Sequence, residues 1–85
     1  MKKDYSKILE KCAVIAKDRQ LQYGEASESM KQATDILKDT FGVKLTPKQL
    51  CYTIIAIKLS RQKFQFKEDS MIDIINYIAI SLICE

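Results

Sequence analysis

The 85-residue sequence contains no histidine, no tryptophan, one proline and two glycines. Without histidine, the chain lacks the commonest general base of enzymes and a frequent ligand of zinc. It also has no glycine-rich phosphate loop, and no histidine base could activate a serine or cysteine nucleophile. These absences exclude most hydrolase and transferase mechanisms. We therefore expect a binding protein that has no catalytic residues, no metal site and no cofactor.

The three cysteines are widely spaced and odd in number, which argues against a disulfide framework. Cys12, Cys51 and Cys84 each lie among apolar residues, and we expect reduced, buried thiols at all three positions. The first residues are charged and are not followed by the apolar core of a signal peptide. We therefore expect the protein to be cytoplasmic.

The composition is that of a small folded domain, with 47% hydrophobic and 29% charged residues. These proportions suit a compact helical fold and argue against disorder. We interpret residues 1–85 as one helical domain. The net charge is only +3, and the basic residues are interleaved with eleven acids, so nucleic acid is weakly supported as a partner.

Apolar residues recur at three- and four-residue steps, which predicts amphipathic helices in the first half of the chain. The first helix is expected from Asp4 to about Gln20, and the second from about residue 25 or 27 to residue 41. Gly24 and Gly42 follow these segments, and glycine readily adopts the positive φ that ends a helix.

The clearest helix boundary is the segment Thr46-Pro47-Lys48-Gln49, which supplies an N-cap, a proline at the first position and a capping-box glutamine. The third helix that it starts becomes polar at residues 61–63. The following loop contains Phe64 and Phe66 between lysines, and these aromatic rings could stack on single-stranded bases. We favour the alternative that the loop tucks them under the bundle.

The fourth helix is expected from Asp69 or Ser70 to the end of the chain, because Ser70 and Asp73 have capping-box spacing. Residues 71–84 are apolar on nearly every side, but polar residues interrupt them and the run is too short to span a membrane. Such a helix must be central to a bundle or buried between subunits. We therefore predict an all-α, compact four-helix bundle that is completed by homo-oligomerisation, as a dimer.

Polar side chains interrupt the apolar faces of the third and fourth helices. Lys58 and Arg61 lie one turn apart, and Asp73 belongs to a stripe with Asn76 and Tyr77. A buried carboxylate is costly unless it is paired. The simplest interpretation is an ion pair that joins Asp73 to Lys58 or Arg61 within the helical hairpin.

The functional alternative is a polar pocket at one end of the bundle, to which the first helix adds an arginine and a tyrosine. Basic side chains would hold a phosphate, Asp73 and Asn76 would read a sugar or base, and a tyrosine would stack on the base. The candidate ligand-binding residues are Arg19, Tyr23, Lys58, Arg61, Asp73, Asn76 and Tyr77.

Carboxylates on two facing helices could instead form a magnesium site for phosphate chemistry. The candidates are Glu25 and Glu28 on one helix, with Glu68 or Asp69 and Asp73 on another. Acids near a helix N-terminus are also favoured by the helix dipole alone. We prefer that second explanation.

Four ordered motifs resemble those of a family of small helical domains encoded mainly by bacteriophages and prophages, over residues 15–82. Lys-x-x-Arg and Asp-x-x-x-Tyr are also similar to elements of nucleotide-modification-associated phage domains, and more remotely of MazG-type all-α nucleotide pyrophosphohydrolases. The motifs are Arg19-x-x-x-Tyr23-Gly24, Leu45-Thr46-Pro47-x-Gln49, Lys58-Leu-Ser-Arg61 and Asp73-Ile-Ile-Asn-Tyr77.

The resemblance implies a phage accessory protein, in the cytoplasm of the host cell, that binds or sequesters a nucleotide. A second possibility is an inhibitor of a host defence protein, such as an anti-CRISPR, that acts by steric block through an exposed lysine-rich face. The third is a diminished pyrophosphohydrolase. MazG-type enzymes use Glu-x-x-Glu and Glu-x-x-Asp to bind magnesium; Glu25 and Glu28 match the first element, whereas Asp73-x-x-Asn76 has an amide in the second.

Overall fold

A computed structural model describes residues 4–84 of the chain. Over this range it contains four helices and no strand: α1 (Ser6–Tyr23), α2 (Ala26–Phe41), α3 (Pro47–Gln62) and α4 (Glu68–Ile83). The helices pack against one another as a bundle. The predicted all-α class and four-helix architecture are confirmed.

The first helix begins and ends slightly later than the sequence predicts. It starts at Ser6, whose N–H and hydroxyl both donate to the Asp4 carboxylate, at 3.0 and 2.6 Å. These two hydrogen bonds lower the pKa of Asp4 from its ordinary value. The helix ends at Tyr23, three residues beyond the expected Gln20, and the N–H of Gly24 donates to the Gln20 carbonyl at 2.9 Å.

Local signals place the boundary between α2 and α3 where the sequence predicts it. Gly42 ends α2 with a φ of 69°, a conformation that costs glycine little. At the start of α3, the Thr46 hydroxyl accepts from the Gln49 N–H at 3.1 Å, and the Gln49 side chain accepts from the Thr46 N–H at 3.0 Å. Such an N-cap contributes about 1 kcal/mol to helix stability.

The start of α4 differs from the prediction, because the helix begins at Glu68 and has no side-chain cap. The chain is held here by Gln62 of α3. Its Oε1 accepts from the Lys67 N–H at 2.8 Å, while its Nε2 donates to the Lys58 carbonyl at 3.1 Å. The predicted capping box of Ser70 and Asp73 was wrong, since this amide already fixes the turn before either residue.

The α3–α4 hairpin is the centre of the fold. The helix α1 packs on α4, α2 packs on α3, and α1 and α2 also touch each other. The most deeply buried apolar side chains form a small core, and α4 contributes two of them. These core residues are Cys12, Cys51, Ile72, Ile74 and Cys84.

The three cysteines are reduced and buried, as predicted. Cys51 lies near the start of α3, and Cys84 follows the end of α4. Burial, followed by the neighbouring Cys84 thiol, raises the pKa of Cys51 to about 11. The Cys51 thiol is therefore protonated at neutral pH and behaves as a small apolar core residue.

The turn between α3 and α4 exposes its aromatic side chains to solvent. Phe64 is 98% exposed and Phe66 is 68% exposed. The expectation that these rings tuck under the bundle was wrong. The N–H groups of Phe64 and Gln65 both donate to the Arg61 carbonyl, which closes a tight turn directly after α3, and both rings lie outside the bundle.

None of the helices within residues 4–84 has the length and apolar character needed to cross a bilayer.

Candidate functional site

Asp73 lies between two cations contributed by different helices. Its Oδ1 is 3.2 Å from Nη2 of Arg19 on α1, and its Oδ2 is 3.1 Å from Nζ of Lys58 on α3. The predicted ion pair with Lys58 is confirmed. The second cation is Arg19, which the sequence had suggested as a pocket residue, and Arg61 takes no part in these contacts.

The three charges differ in their access to solvent. The side chains of Asp73 and Lys58 are each 19% exposed, whereas that of Arg19 is 55% exposed. Because each carboxylate oxygen of Asp73 has its own cation, the burial of this acid is compensated. The triad joins α1, α3 and α4 and has one surplus positive charge, which lies on the exposed Arg19.

Arg19 also lines a cleft of about 650 Å³. The cleft runs between the second half of α1, the first turns of α2 and the second half of α4. Its size falls within the range of small-molecule sites. The wall is mainly apolar and aromatic, with a few polar groups, and comprises Ala16, Arg19, Gln20, Tyr23, Gly24, Glu25, Ala26, Ser27, Ser29, Met30, Asn76, Tyr77, Ala79, Ile80 and Ile83.

The structure brings together four of the seven candidate residues, since Arg19, Tyr23, Asn76 and Tyr77 all line the cleft. The other three lie elsewhere. Asp73 pairs with Arg19 and fixes its side chain, and Lys58 pairs with Asp73 in turn. Arg61 lines a separate hollow of about 310 Å³ at the α3–α4 turn, together with Gln62, Phe64, Gln65, Lys67 and Ser70.

Asn76 forms part of the cleft wall and also fixes two helices. Its Nδ2 donates to the carbonyl of Cys12 at 3.2 Å, so the amide of α4 is bonded to the backbone of α1. This bond ties the half-buried Asn76 to the bundle and sets the spacing of the two helices.

Sequence reasoning missed the apolar part of the cleft wall, although a signal was available. Asn76, Ile80 and Ile83 follow one another at four- and three-residue steps, so they share one face of α4. Met30 of α2 faces the same cleft. The apolar stripe beside the polar candidate Asn76 was thus a signal for a cleft wall. The sequence does not show which helix faces this stripe, because that depends on how the helices pack.

One of the acidic candidates for a magnesium site, Asp73, is the centre of the triad with Arg19 and Lys58. Glu25 lies on the cleft wall immediately before α2, and Glu28 lies in the first turn of that helix. Asp73 is already bonded to two cations. Among residues 4–84, no group of three carboxylate or thiol side chains is arranged to hold a metal ion.

Comparison with known proteins gives a family for the chain. No curated protein and no solved structure matches it. The model of one family, a domain of unknown function designated DUF6378, matches residues 7–84, which is nearly the full length. The chain therefore belongs to the DUF6378 family.

Proposed function

We propose that this protein is an accessory protein of a bacteriophage or prophage that binds or sequesters a nucleotide in the cleft between α1, α2 and α4. The observation that carries the proposal is the position of Arg19. Its guanidinium is anchored by Asp73 through one hydrogen bond, and it stands on the wall of a cleft of ligand size. A guanidinium has about five N–H donors, so most of them can still bind a phosphate.

The start of α2 supports a phosphate site beside Arg19. Ala26 and Ser27 line the cleft, and no side chain caps this helix. The first N–H groups of a helix have no partners within it, and they attract anions. A phosphate in this part of the cleft would therefore meet N–H donors from two sides.

The charge of the cleft favours a ligand with few negative charges. Glu25 on the wall offsets the positive charge of Arg19, so a triphosphate would meet little net attraction and some repulsion. A nucleoside monophosphate or a cyclic nucleotide has one phosphate group and suits this balance. We therefore favour these two classes of ligand.

The remaining wall can hold a base. Tyr23 is largely exposed at the cleft, Tyr77 is half-buried, and Met30 and Ile80 add apolar surface. Aromatic rings stack on bases of any sequence, and the contact excludes water from both surfaces. A nucleotide with its phosphate at Arg19 would thus place its base between the tyrosines and the apolar wall.

We expect Arg19→Ala to weaken nucleotide binding by about 10-fold to 100-fold, because a charge-assisted hydrogen bond contributes about 1.5–3 kcal/mol. Isothermal calorimetry against mono-, di- and cyclic nucleotides measures this change. The control is Lys17→Ala, which removes an exposed cation of the same helix that does not line the cleft. This variant should bind as tightly as the wild type.

Two results would contradict the proposal. If no nucleotide of the panel gives a binding signal in calorimetry, the proposal is wrong. Magnesium-dependent release of pyrophosphate from nucleoside triphosphates by the wild type would favour the hydrolase alternative instead.

A second candidate function is inhibition of a host defence protein, in the manner of an anti-CRISPR. The observation that favours it is the α3–α4 turn, where the exposed rings of Phe64 and Phe66 stand between the exposed Lys63 and Lys67. Aromatic residues are enriched at protein–protein interfaces relative to the rest of the surface. The positive charges would suit an acidic protein surface.

Capture from host lysate tests this candidate. The wild type should retain one host protein in stoichiometric amount, and the double variant Phe64→Ala with Phe66→Ala should lose it. Tyr5→Ala serves as the control, because Tyr5 is another exposed aromatic residue and lies before α1. If both variants retain the same protein, the turn is not the binding surface.

A further inference from the structure

We propose that a second copy of this chain packs on the outer face of the α3–α4 hairpin, so that α3 and α4 of two copies form a four-helix core. This hairpin face consists of two apolar stripes, one on each helix. Its residues are Tyr52, Ile55 and Leu59 of α3, and Met71, Ile75, Ile78 and Leu82 of α4.

The spacing of the α4 stripe is that of a helix seam. Its four residues follow one another at steps of four, three and four, and the α3 stripe has steps of three and four. Apolar residues at this spacing pack against a partner helix as knobs into holes. Neither stripe contains a charged residue.

We infer from the helix packing that both stripes lie on the same side of the hairpin. Because α1 packs on α4, α2 packs on α3, and these outer helices touch each other, they cover one side and leave the opposite side without a helix. On that uncovered side, Tyr52 is 53% exposed, Leu59 48%, Ile78 49% and Leu82 77%. The hairpin face therefore presents four exposed and three half-buried apolar side chains to solvent.

The area of the hairpin face is large enough for a second copy of the chain to bind. The exposed parts of its four most accessible side chains amount to roughly 450 Å² per copy, and the half-buried Ile55, Met71 and Ile75 add to this area, so two copies would bury about 1,000 Å². That total is about the minimum for a specific interface. A two-fold axis through the face would set apolar stripes against apolar stripes, which makes the surface complementary to itself.

One copy is more extended than an average chain of its length and has a small core. The radius of gyration is 14.3 Å, whereas a compact chain of this length has a value of about 12 Å. Only five apolar side chains are buried in the described part of the chain. Because a domain of this size is only marginally stable alone, a second copy would add buried apolar surface to its core.

The dimer is independent of the proposed nucleotide site. The cleft uses Asn76, Ile80 and Ile83 of α4, whereas the hairpin face uses Ile78 and Leu82. A second copy on the hairpin face therefore leaves the cleft open. Failure of nucleotide binding and failure of dimerisation can be told apart.

Light scattering coupled to gel filtration tests the proposal. At about 10 µM the wild type should have about twice the monomer mass of 9.8 kDa. Leu82→Glu and Tyr52→Glu each change a different stripe. Both variants should elute as monomers, because the dissociation constant of the dimer should rise more than 100-fold. Both positions are exposed in a single copy, so circular dichroism should still show a helical fold.

The matched control is Leu21→Glu, which places the same charge at an exposed leucine of α1 outside the hairpin face. This variant should remain dimeric. A wild type that stays monomeric up to millimolar concentration would overturn the proposal. A dimer that Leu21→Glu disrupts, and that Leu82→Glu and Tyr52→Glu leave intact, would also overturn it.

Discussion

Replacing Ile72 by alanine is expected to lower the free energy of unfolding by about 3 kcal/mol. Ile72 is 2% exposed and is one of the two largest fully buried side chains among residues 4–84. Truncation removes three methyl or methylene groups from water-free surroundings and leaves a cavity that the helices can close only in part. For a chain of this length, such a loss lowers the melting temperature by roughly 15 °C.

Thermal and urea unfolding, followed by circular dichroism at a fixed protein concentration, measure the effect. Ile72→Val should cost about 1 kcal/mol, because it deletes a single methylene group. Leu21→Ala is the control, since this side chain is 88% exposed and should change stability by less than about 0.5 kcal/mol. Equal losses for Ile72→Ala and Leu21→Ala would show that Ile72 does not belong to the core.

Replacing Asp73 by alanine is expected to destabilise the fold by about 2–3 kcal/mol. The reason is the charge that remains. Lys58 is mostly buried and is 3.1 Å from this carboxylate, so the variant leaves an ammonium group without its counter-charge in a poorly solvated position. Arg19 is more than half exposed, and water can solvate it, so Arg19→Ala should cost at most about 1 kcal/mol.

Two further variants separate this explanation from a general effect of losing an acid. Asp35→Ala removes an exposed carboxylate of α2 and should be nearly neutral. The double variant Lys58→Met with Asp73→Leu removes both charges and should recover most of the stability, because hydrophobic replacement of a buried pair is often neutral. If the double variant is no more stable than Asp73→Ala, an unpaired Lys58 is not the cause.

The parts of the fold that the sequence predicted well depend on local chemistry. The boundary at Thr46 is set by hydrogen bonds between residues three apart, and Gly24 and Gly42 end helices through their own backbone preference. Such signals act within one turn of helix. They can be read without knowing how the helices pack.

The start of α4 shows where local reading fails. Ser70 and Asp73 have the spacing of a capping box, but Asp73 is bonded to cations from α1 and α3. The turn is instead held by Gln62, which reaches across it to the Lys67 N–H. A tertiary ion pair and a cross-turn hydrogen bond together override the cap that the sequence suggested.

The candidate site was predictable in its residue types and only partly in its geometry. A partner for Asp73 on α3 was expected, because consecutive helices form a hairpin, and Lys58 fills that role. The choice of Arg19 over Arg61 follows from the packing of α1 on α4. Nothing in the spacing along the chain specifies that packing.

The buried thiol of Cys51 gives the protein a vulnerability to alkali. When the core opens, this thiol returns to its ordinary pKa of 9.0, whereas the folded chain holds the proton to about pH 11. The folded state therefore binds the proton more tightly, and this contribution to stability is complete below pH 9. It is lost as the pH rises from about 9 to 11, because the opened chain gains an ionised sulfur that water solvates.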